Sequence, residues 1–329
     1  MKRNSKKRDS KEDVAPPIPL RMWDPMILAD PKVKYAMAVI APRNCGKSTL
    51  MMDCISRIKD CVNEAVVFSE TDEVNPTFSK IVPKIYVHKR LSPEMLDKIF
   101  ERQVMVRKNP PPGYRMEGKL LLIMDDIMAD KAALNSEAFK RIFLQGRHFG
   151  IVLMIAVQYT MDLPICARNN LDIIIVLKQS GIKNREKLHT DYFPEFGSKK
   201  LFFEAMDEFT GNYSMLVKSN LGNSTSLTDV VFHYRAELVD TNFTLGSPEY
   251  LRLAELYTRN PDDDKVDWNE MRRELAQQQN ALNHDIVSNK KRSIFIRCDT
   301  KGREIEIPSS SAPVEQEHDG GNISDESSS

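Results

Sequence analysis

Short apolar runs alternate with amphipathic segments through the central part of the chain. Continuous apolar runs separated by helical stretches are typical of parallel strands that are buried on both faces of a sheet. The pattern therefore predicts an α/β fold in which a mostly parallel central sheet is flanked by helices. The predicted strands cover residues 35–40, 65–68, 85–87, 120–124, 151–157 and 173–177.

Helix signals fall between and after these runs. Ser92 followed by Pro93 is an N-cap with a proline in the first turn, a combination that favours a helix start. The predicted helices cover residues 48–58, 93–108 and 135–147, a stretch that begins at Ser247-Pro248, and residues 268–281.

The pattern changes after residue 212. Residues 213–218 and 230–234 are predicted to form two antiparallel strands around a polar turn, and this pair would form an edge of the sheet. No internal repeat is present in the sequence.

The two ends of the chain differ from its middle. Residues 1–20 carry lysines and arginines among polar residues, and residues 301–329 are rich in serine, glycine and acidic residues. Both compositions predict disorder. We therefore expect a basic arm over 1–20, a main domain over 21–240, a helical C-terminal extension over 241–300 and an acidic tail over 301–329. The arm is either a solvated tail or a segment that contacts nucleic acid or directs targeting.

Composition narrows the choice of partners and compartment. Lysine plus arginine and aspartate plus glutamate both number 47, so any contact with a polyanion must come from local patches. The five cysteines lack zinc-site spacing, which predicts reduced thiols in a cytosol-like compartment. Without a signal-peptide core or a run of 18 apolar residues, the chain is expected to be intracellular with no membrane segment.

The first chemical motif follows the first apolar run. A phosphate loop has the pattern Gly, four residues, Gly-Lys-Ser/Thr; here Ala41 stands at the first glycine and Gly46-Lys47-Ser48 completes the pattern. Lys47 can reach the β and γ oxygens of ATP, and Ser48 can offer its hydroxyl to Mg²⁺ at a helix start that favours anions. The predicted ATP-binding residues are Pro42, Arg43, Asn44, Cys45, Gly46, Lys47, Ser48 and Thr49.

Paired carboxylates end the fourth apolar run, as in a Walker B strand. Asp125 is predicted to lie at the tip of a buried strand, where it can hold Mg²⁺ together with Ser48, and Asp126 can polarise a water molecule. Many ATPases of this class carry glutamate at the second position, and Asp126 is shorter by one methylene. The sequence therefore predicts a magnesium-dependent P-loop ATPase.

Three polar residues after the Walker B strand are further catalytic candidates. Gln158 directly follows the apolar run 151–157. This run matches the additional strand that one large branch of P-loop ATPases places between the phosphate-loop and Walker B strands. Gln158 would then face the γ-phosphate or the attacking water. Arg147 or Arg168 can serve as a finger on a neighbour's γ-phosphate, because the guanidinium fork suits phosphoryl oxygens; the alternative for each is a surface ion pair.

The order of these motifs resembles that of the genome-packaging ATPases of nucleocytoplasmic large DNA viruses, within the FtsK/HerA superfamily. The resemblance covers roughly residues 20–240, and Ala41 departs from the usual glycine. It is carried by Gly46-Lys47-Ser48-Thr49, Asp125-Asp126, Gly146-Arg147-His148-Phe149-Gly150, Gln158, Leu163-Pro164, Arg168-Asn169 and Phe232-His233-Tyr234-Arg235-Ala236.

The resemblance implies a ring of five or six subunits that hydrolyses ATP while it moves double-stranded DNA into a preformed capsid. The implied partners are DNA, further copies of the chain and capsid or virion proteins, in the host cytoplasm, the viral factory or the virion. Loops beyond strand ends in such rings can face the pore, where basic side chains contact phosphates without reading bases. The candidate DNA contacts, or alternatively parts of a solvated charged face, are Lys183, Arg185, Lys187, Lys199 and Lys200.

Three alternatives remain open at this point. A nucleotide or small-molecule kinase uses the same phosphate loop, but it should carry a basic lid and rarely needs a strand that ends in glutamine. A non-packaging DNA motor of the same superfamily would share every motif named above. A binding module with an inactive ATP site would keep the motifs without turnover.

Overall fold

A nine-stranded sheet forms the centre of the unit that ends at residue 259. This computed structural model describes residues 19–110, 118–127 and 131–258 and the main chain of 297–298 and 304–305. Across this sheet the strand order is β1-β9-β8-β7-β2-β6-β5-β3-β4. The strands are β1 (Arg21–Met22), β2 (Ala36–Ile40), β3 (Val62–Ser69), β4 (Val87–His88), β5 (Lys119–Asp125), β6 (Ile151–Val157), β7 (Ile173–Val176), β8 (Ser214–Ser219) and β9 (Val231–Arg235).

The pairing of the strands confirms the predicted fold class. All pairings within this sheet are parallel except those of β8, which runs antiparallel to both β7 and β9. Strand β6 lies between β2 and β5, so the predicted additional strand is present. The predicted antiparallel pair is β8 with β9, but the outermost strand at this end is β1, which pairs parallel to β9. A strand of two residues is too short to leave a hydrophobic pattern in the sequence.

Two strand predictions need correction in their bounds. Strand β3 begins at Val62, three residues before the predicted start, because the polar residues Asn63 and Glu64 are buried within it. The Glu64 carboxylate forms an ion pair with Arg102, which makes its burial tolerable. The predicted strand over 85–87 is mostly a 3₁₀ turn, Lys84–Tyr86, which Pro83 precedes and which leads into β4.

Helices cover both faces of the sheet. The predicted helix over 135–147 is interrupted at Ser136, whose hydroxyl accepts a hydrogen bond from the Phe139 amide (3.2 Å) and so caps a new helix. The chain continues from that helix into a 3₁₀ turn, Gly146–Phe149. The described helices are α1 (Lys47–Ile58), α2 (Pro93–Lys108), α3 (Lys131–Asn135), α4 (Glu137–Gln145), α5 (Ile165–Arg168), α6 (Ile182–Tyr192), α7 (Lys199–Phe209), α8 (Leu227–Val230) and α9 (Pro248–Thr258).

Two hydrophobic layers lie on opposite faces of the sheet. Along β6, Leu153 and Ile155 belong to the layer that contains Phe139 of α4, whereas Val152 and Met154 belong to the layer that contains α1. All four are buried, as expected for a strand covered on both faces. The central strands and α1 are therefore held rigidly, and the residues that follow them inherit defined positions.

The chain beyond β9 contains one predicted helix that the structure describes and one that it does not. Helix α9 begins after Ser247 as predicted, and the Tyr250 hydroxyl donates to the Ala65 carbonyl (2.6 Å). The predicted helix over 268–281 lies outside the described residues, as do nearly all of the two predicted tails. In the separate unit after residue 259, β10 (Arg297–Cys298) pairs antiparallel to β11 (Glu304–Ile305).

Candidate nucleotide-binding site

The ends of four neighbouring strands bring the predicted site residues together. Strands β2, β6, β5 and β3 are adjacent and parallel, so their carboxyl ends meet at one edge of the sheet. Ile40 pairs with Val157, and Asp125 pairs with both Ala156 and Ser69. The phosphate loop, Gln158 and the two carboxylates therefore follow these strands side by side. Ligands of open α/β sheets bind at such a carboxyl edge.

The phosphate loop has a backbone that its residue types permit. Asn44 and Gly46 have φ values of 58° and 93°, in the left-handed region where asparagine and glycine are best tolerated. A Cβ atom at position 46 would lie 3.1 Å from Cδ1 of Tyr213, so a side chain would be crowded as well as strained. Gly46 is also the N-cap of α1, and the amides of the first helical turn face the loop.

Lys47 lies across its own loop. Its Nζ donates to the carbonyls of Ala41 (2.9 Å) and Pro42 (3.2 Å). Partial burial lowers the pKa of Lys47, while the nearby carboxylates of Asp125 and Asp126 act in the opposite direction. Ala41 does not have a positive φ, so this position does not need the glycine of the usual pattern. The ammonium group is thus placed between the loop and the carboxylates, where it can exchange carbonyl contacts for phosphate contacts.

The remaining loop residues differ in exposure. Arg43, Asn44 and Ser48 are exposed, whereas Pro42, Cys45 and Thr49 are half-buried. Cys45 packs against the apolar layer on the α1 face and is a free thiol. These six residues surround Gly46 and Lys47, so the structure places every predicted ATP-binding residue in one loop and the start of one helix.

Asp125 and Ser48 face the same cavity, which has a volume of about 460 Å³ and which we call the first cavity. Burial raises the pKa of Asp125 to about 6; Lys47 opposes the rise, and Asp126 and Asp72 add to it. A carboxylate and a hydroxyl suit Mg²⁺, which keeps several waters and takes few protein ligands when phosphates are present. The donor set therefore fits the predicted magnesium ion. Among the described residues, no cluster of three or more His, Cys, Asp or Glu side chains offers an alternative metal site.

Asp126 and Gln158 form a hydrogen-bonded pair. Asp126 has a φ of 53°, which turns its side chain away from the direction that a regular strand would give it. Its Oδ1 accepts a hydrogen bond from Nε2 of Gln158 (2.9 Å). The structure thus joins two residues that the sequence analysis placed in the site for separate reasons. Their spatial neighbourhood follows from β6 being inserted next to β5.

The residues that form the far wall of the first cavity were not predicted from the sequence. Ser69, Thr71 and Asp72 lie at the end of β3 and beyond it, next to the Walker B strand. The buried carboxylate of Asp72 accepts three main-chain hydrogen bonds, from the amides of Thr77 (2.8 Å), Phe78 (2.6 Å) and Ser79 (3.2 Å). Asp72 therefore shapes the loop that closes the cavity. The available signal was a polar cluster at the end of an apolar run, the same signal that identified Asp125.

Arg147 lies near the amino ends of the parallel strands, opposite the phosphate loop. Its Nη1 donates to Oδ1 of Asp172 (3.3 Å), and Oδ2 of Asp172 accepts from the amide of Ala36, the first residue of β2. Five residues of β2 separate this point from the phosphate loop, or about 16 Å at about 3.3 Å per residue. Arg147 is therefore not placed to reach a phosphate bound to its own loop.

Arg168, the other candidate finger, is engaged within its own chain. Its Nη1 donates to Oδ2 of Asp191 in α6 (2.7 Å), and its Nε has no partner among the described atoms. Arg168 does not line the first cavity. The structure thus brings neither arginine into the site of the same chain.

The five basic DNA candidates lie on helices, which corrects the prediction that the first three lie in a loop. The Arg185 side chain is engaged within its own chain, because it donates hydrogen bonds to the Gln179 carbonyl (2.6 Å) and to the Asp207 carboxylate (2.5 Å). The structure pairs Lys199 with Glu186 (3.1 Å) and Lys200 with Glu204 (3.8 Å). Lys183 and Lys187 are exposed on α6, one helical turn apart, and the described residues offer neither an ion pair.

None of the helices in the described ranges has the length and apolar character that a bilayer crossing requires.

Similar sequences occur in several viruses. No protein-family model matches the chain. An uncharacterized protein of Frog virus 3 is 28% identical over 200 residues, 61% of this chain and 61% of that protein. One of Invertebrate iridescent virus 3 is 26% identical over 64% of this chain and 80% of its own length. An uncharacterized protein of Acanthamoeba polyphaga mimivirus is 25% identical over 68% of this chain and 79% of its own length. The matched region thus spans about three-fifths of the first relative, and the relatives come from the kind of virus that the motif series indicated.

The solved structures to which this chain is similar include three proteins whose names refer to nucleotides or ATP hydrolysis. The genome packaging NTPase B204 of Sulfolobus turreted icosahedral virus 2, in complex with AMPPCP, is 14% identical over 64% of this chain and all of its own, with a TM-score of 0.43. The pCW3 conjugation coupling protein TcpA with ATPγS is 12% identical over 67% of this chain and 65% of its own, with a TM-score of 0.43. The cytoplasmic domain of the Type VII secretion ATPase EccC of Thermomonospora curvata is 15% identical over 63% of this chain and 26% of its own, with a TM-score of 0.42. TM-scores this low carry no information about function.

Proposed function

We propose that the chain is a magnesium-dependent ATPase whose site lies at the carboxyl edge of the sheet. The observation that carries the proposal is the convergence of Lys47, Ser48, Asp125 and the Asp126–Gln158 pair around one phosphate loop. Each member of this set has a function that ATP hydrolysis needs: a cation for the phosphates, two ligands for the metal, and a carboxylate with an amide for the water.

The reaction is hydrolysis of the β–γ bond. A water oxygen attacks the γ-phosphorus, the bond from that phosphorus to the β–γ bridging oxygen breaks, and ADP and phosphate form. Asp126 accepts the proton of the attacking water at a carboxylate oxygen, and Gln158 fixes the orientation of that carboxylate through its amide. Lys47 and the amides that follow Gly46 stabilise the charge on the phosphate oxygens. Bound Mg²⁺, held by Ser48 and Asp125, would withdraw charge from the same oxygens.

We further propose that hydrolysis drives movement of double-stranded DNA, and that the chain packages a viral genome into its capsid. This proposal is supported by the motif series from Gly46 to Ala236 and by the occurrence of related sequences in Frog virus 3, an invertebrate iridescent virus and a mimivirus. It includes a homo-oligomeric ring of five or six subunits, the FtsK/HerA superfamily arrangement, and capsid or virion proteins as partners. The site of action would be the host cytoplasm, the viral factory or the virion.

The decisive experiment measures phosphate release from ATP with Mg²⁺, with and without double-stranded DNA. We expect DNA to stimulate turnover, and Lys47→Ala to abolish it, because the substitution removes the ammonium group that we propose binds the phosphates. The fold should survive, since the described hydrogen bonds of the Lys47 side chain go to carbonyls of its own loop. Lys98→Ala, the same change at an exposed position of α2, is the matched control and should retain activity.

Each outcome separates the candidate functions. Unchanged turnover in folded Lys47→Ala protein would exclude hydrolysis at this site. Turnover that ignores DNA but transfers phosphate to a nucleotide or small-molecule acceptor would favour a kinase. DNA-stimulated turnover without association with virion proteins, tested by pull-down from infected cells, would favour a non-packaging motor.

A further inference from the structure

A second cavity adjoins the first one at Ser48, in the first turn of α1. Its volume is about 200 Å³, and it shares Ser48, Pro76, Thr77 and Lys80 with the first cavity. From there it extends along Thr49 and Met52 of α1 to Leu238, Val239 and Thr241, which follow β9. Thr49 is the next residue after Ser48 and therefore points about 100° further around the helix, away from Asp125. A ligand with one end beside Ser48 can thus occupy both cavities.

The far wall of the second cavity is fixed to α1 by a buried carboxylate. Asp53 of α1 has no solvent exposure, and it accepts hydrogen bonds from the Tyr234 hydroxyl (2.5 Å) and the Glu237 amide (3.2 Å). Arg57 donates to Asp53 (2.9 Å) and to the Glu237 carboxylate (2.9 Å). Residues 236–241 are therefore held at a defined distance from the helix that carries the phosphate loop. These residues lie almost 190 positions after that loop in the chain.

The lining of the second cavity differs in chemistry from that of the first. Met52, Pro76, Leu238 and Val239 present apolar surface, whereas the first cavity is lined mostly by hydroxyl, carboxylate and amide groups. The Leu238 residue is 92% exposed, so its side chain buries almost no surface against its own chain. An apolar side chain held at the mouth of a cavity by a buried network offers contact area to a flat ligand group.

We infer that the second cavity binds the base and ribose of the nucleoside triphosphate, with residues 236–241 as its outer wall. This inference rests on the proposed ATPase function, because it requires the triphosphate to lie on the phosphate loop, with its metal-bound oxygens next to Ser48 and Asp125 in the first cavity. Lys80 lines both cavities, and the described residues offer it no ion pair, so it is placed to contact the α-phosphate or the ribose oxygens where the cavities meet. Leu238 and Val239 cover one face of the base.

The test compares two ligands on one variant. Leu238→Ser should weaken ATP binding about tenfold, as expected when one apolar side chain no longer packs on the ligand. Binding of inorganic tripolyphosphate, which has no base or ribose, should be unchanged. Both affinities are measured by isothermal titration calorimetry with Mg²⁺ present. Leu144→Ser, the same change at an exposed position of α4, is the matched control and should alter neither affinity.

The outcomes distinguish this inference from the proposed function. Equal affinities of ATP for Leu238→Ser and the parent protein would overturn the base subsite while leaving the phosphate site intact. An equal weakening of both ligands would show that Leu238 acts on the phosphate site and would also overturn the inference. If the parent protein binds neither ATP nor tripolyphosphate, the proposed function itself fails. Because Leu238 is exposed, unfolding cannot explain a selective weakening of ATP binding.

Discussion

Asp126 combines an unusual backbone conformation with a chemical task. Its φ of 53° is rare for residues other than glycine, and aspartate and asparagine tolerate it better than most because their short side chains bond locally. Here the conformation directs the carboxylate to Gln158 rather than along the strand. Backbone strain at such a position is commonly retained where it positions a functional group. The neighbouring Asp125, at the last position of β5, keeps a regular strand conformation and faces the first cavity.

This division predicts different defects for the two carboxylates. Asp125→Asn should weaken magnesium-dependent ATP binding, whereas Asp126→Asn should leave ATP bound and slow its hydrolysis by about 10² to 10⁴, the usual contribution of a general base. Asparagine tolerates positive φ as well as aspartate does, so Asp126→Asn should keep the loop conformation. Binding is measured by calorimetry and hydrolysis by single-turnover phosphate release.

One control variant and one contrary outcome define how this prediction can fail. Gln158→Ala should reproduce part of the Asp126→Asn defect in hydrolysis without a defect in binding, because it removes the donor that orients the carboxylate. If both aspartate variants lose binding and hydrolysis to the same extent, the assignment of one residue to the metal and the other to water is wrong.

At the scale of one element, the basic residues of α6 differ in their environment according to the face of the helix on which they lie. Gly181 precedes α6 without a side-chain cap, and the helix buries only Leu188 and Tyr192, so the sequence carries few helix signals there. Arg185 faces inward to Gln179 and Asp207, and its guanidinium lies over the ring of Phe203. Lys183 and Lys187 face solvent on the other side. The three basic residues, close together in the sequence, therefore have two different environments.

The proposed DNA contact should depend on the outward pair. Replacing Lys183 and Lys187 by alanine should flatten the slope of log affinity against log salt for double-stranded DNA by about 0.9 for each phosphate that is no longer neutralised. The double variant Lys199→Ala, Lys200→Ala changes the charge equally at lysines that already have carboxylate partners, and it should alter the slope less. The slope is measured by fluorescence anisotropy between low and physiological salt. An equal or larger effect of the second pair would move the proposed DNA contact to α7.

At the scale of the whole molecule, the separation of Arg147 from the phosphate loop has a consequence for assembly. Arg147 and the phosphate loop lie at opposite ends of the parallel strands, so a role for Arg147 in hydrolysis requires a neighbouring copy. In a ring, the far edge of one subunit can face the nucleotide of the next. We therefore retain Arg147 as the proposed finger in trans, with Arg168 as the alternative.

Mixed rings test this proposal. Arg147→Ala should lower hydrolysis by about 10³ to 10⁵ while ATP binding survives, because an arginine finger acts in the transition state. Mixing Arg147→Ala with Lys47→Ala subunits should restore part of the activity, since an intact loop can meet an intact finger at some interfaces. Phosphate release is measured on mixtures whose subunit exchange is established by fluorescence.

A matched variant shows which arginine acts. Arg168→Ala mixed with Lys47→Ala serves as the parallel case. If the Arg147 mixture stays inactive and the Arg168 mixture recovers, Arg168 is the finger. The thermal stability of Arg147→Ala must also be compared with that of the parent, because removing the ion pair with Asp172 could by itself loosen the start of β2.

The apolar pattern of the chain was sufficient to predict the central strands and the residues that follow them. Strands buried on both faces must be continuous apolar runs, and Lys47, Asp125 and Gln158 lie at or shortly after the ends of such runs, so local pattern was sufficient to place each of them near the carboxyl end of a strand. The order in which the sheet assembles these strands was predicted only through the match to one branch of P-loop ATPases. The charged segment of α6 and the short strand β1 carried too little periodicity to predict.

The contacts between distant groups depend on how the whole chain folds. The hydrogen bond from Gln158 to Asp126, the shaping of the cavity by Asp72 and the attachment of residues 236–241 to α1 through Asp53 all join segments that are not neighbours in the chain or that local pattern does not orient. Periodicity reports whether a residue is buried, whereas the partner of a buried polar group depends on how the strands are ordered and how the loops fold over their ends. For the same reason, the pairing of Arg147 with Asp172 could be seen only in the folded chain.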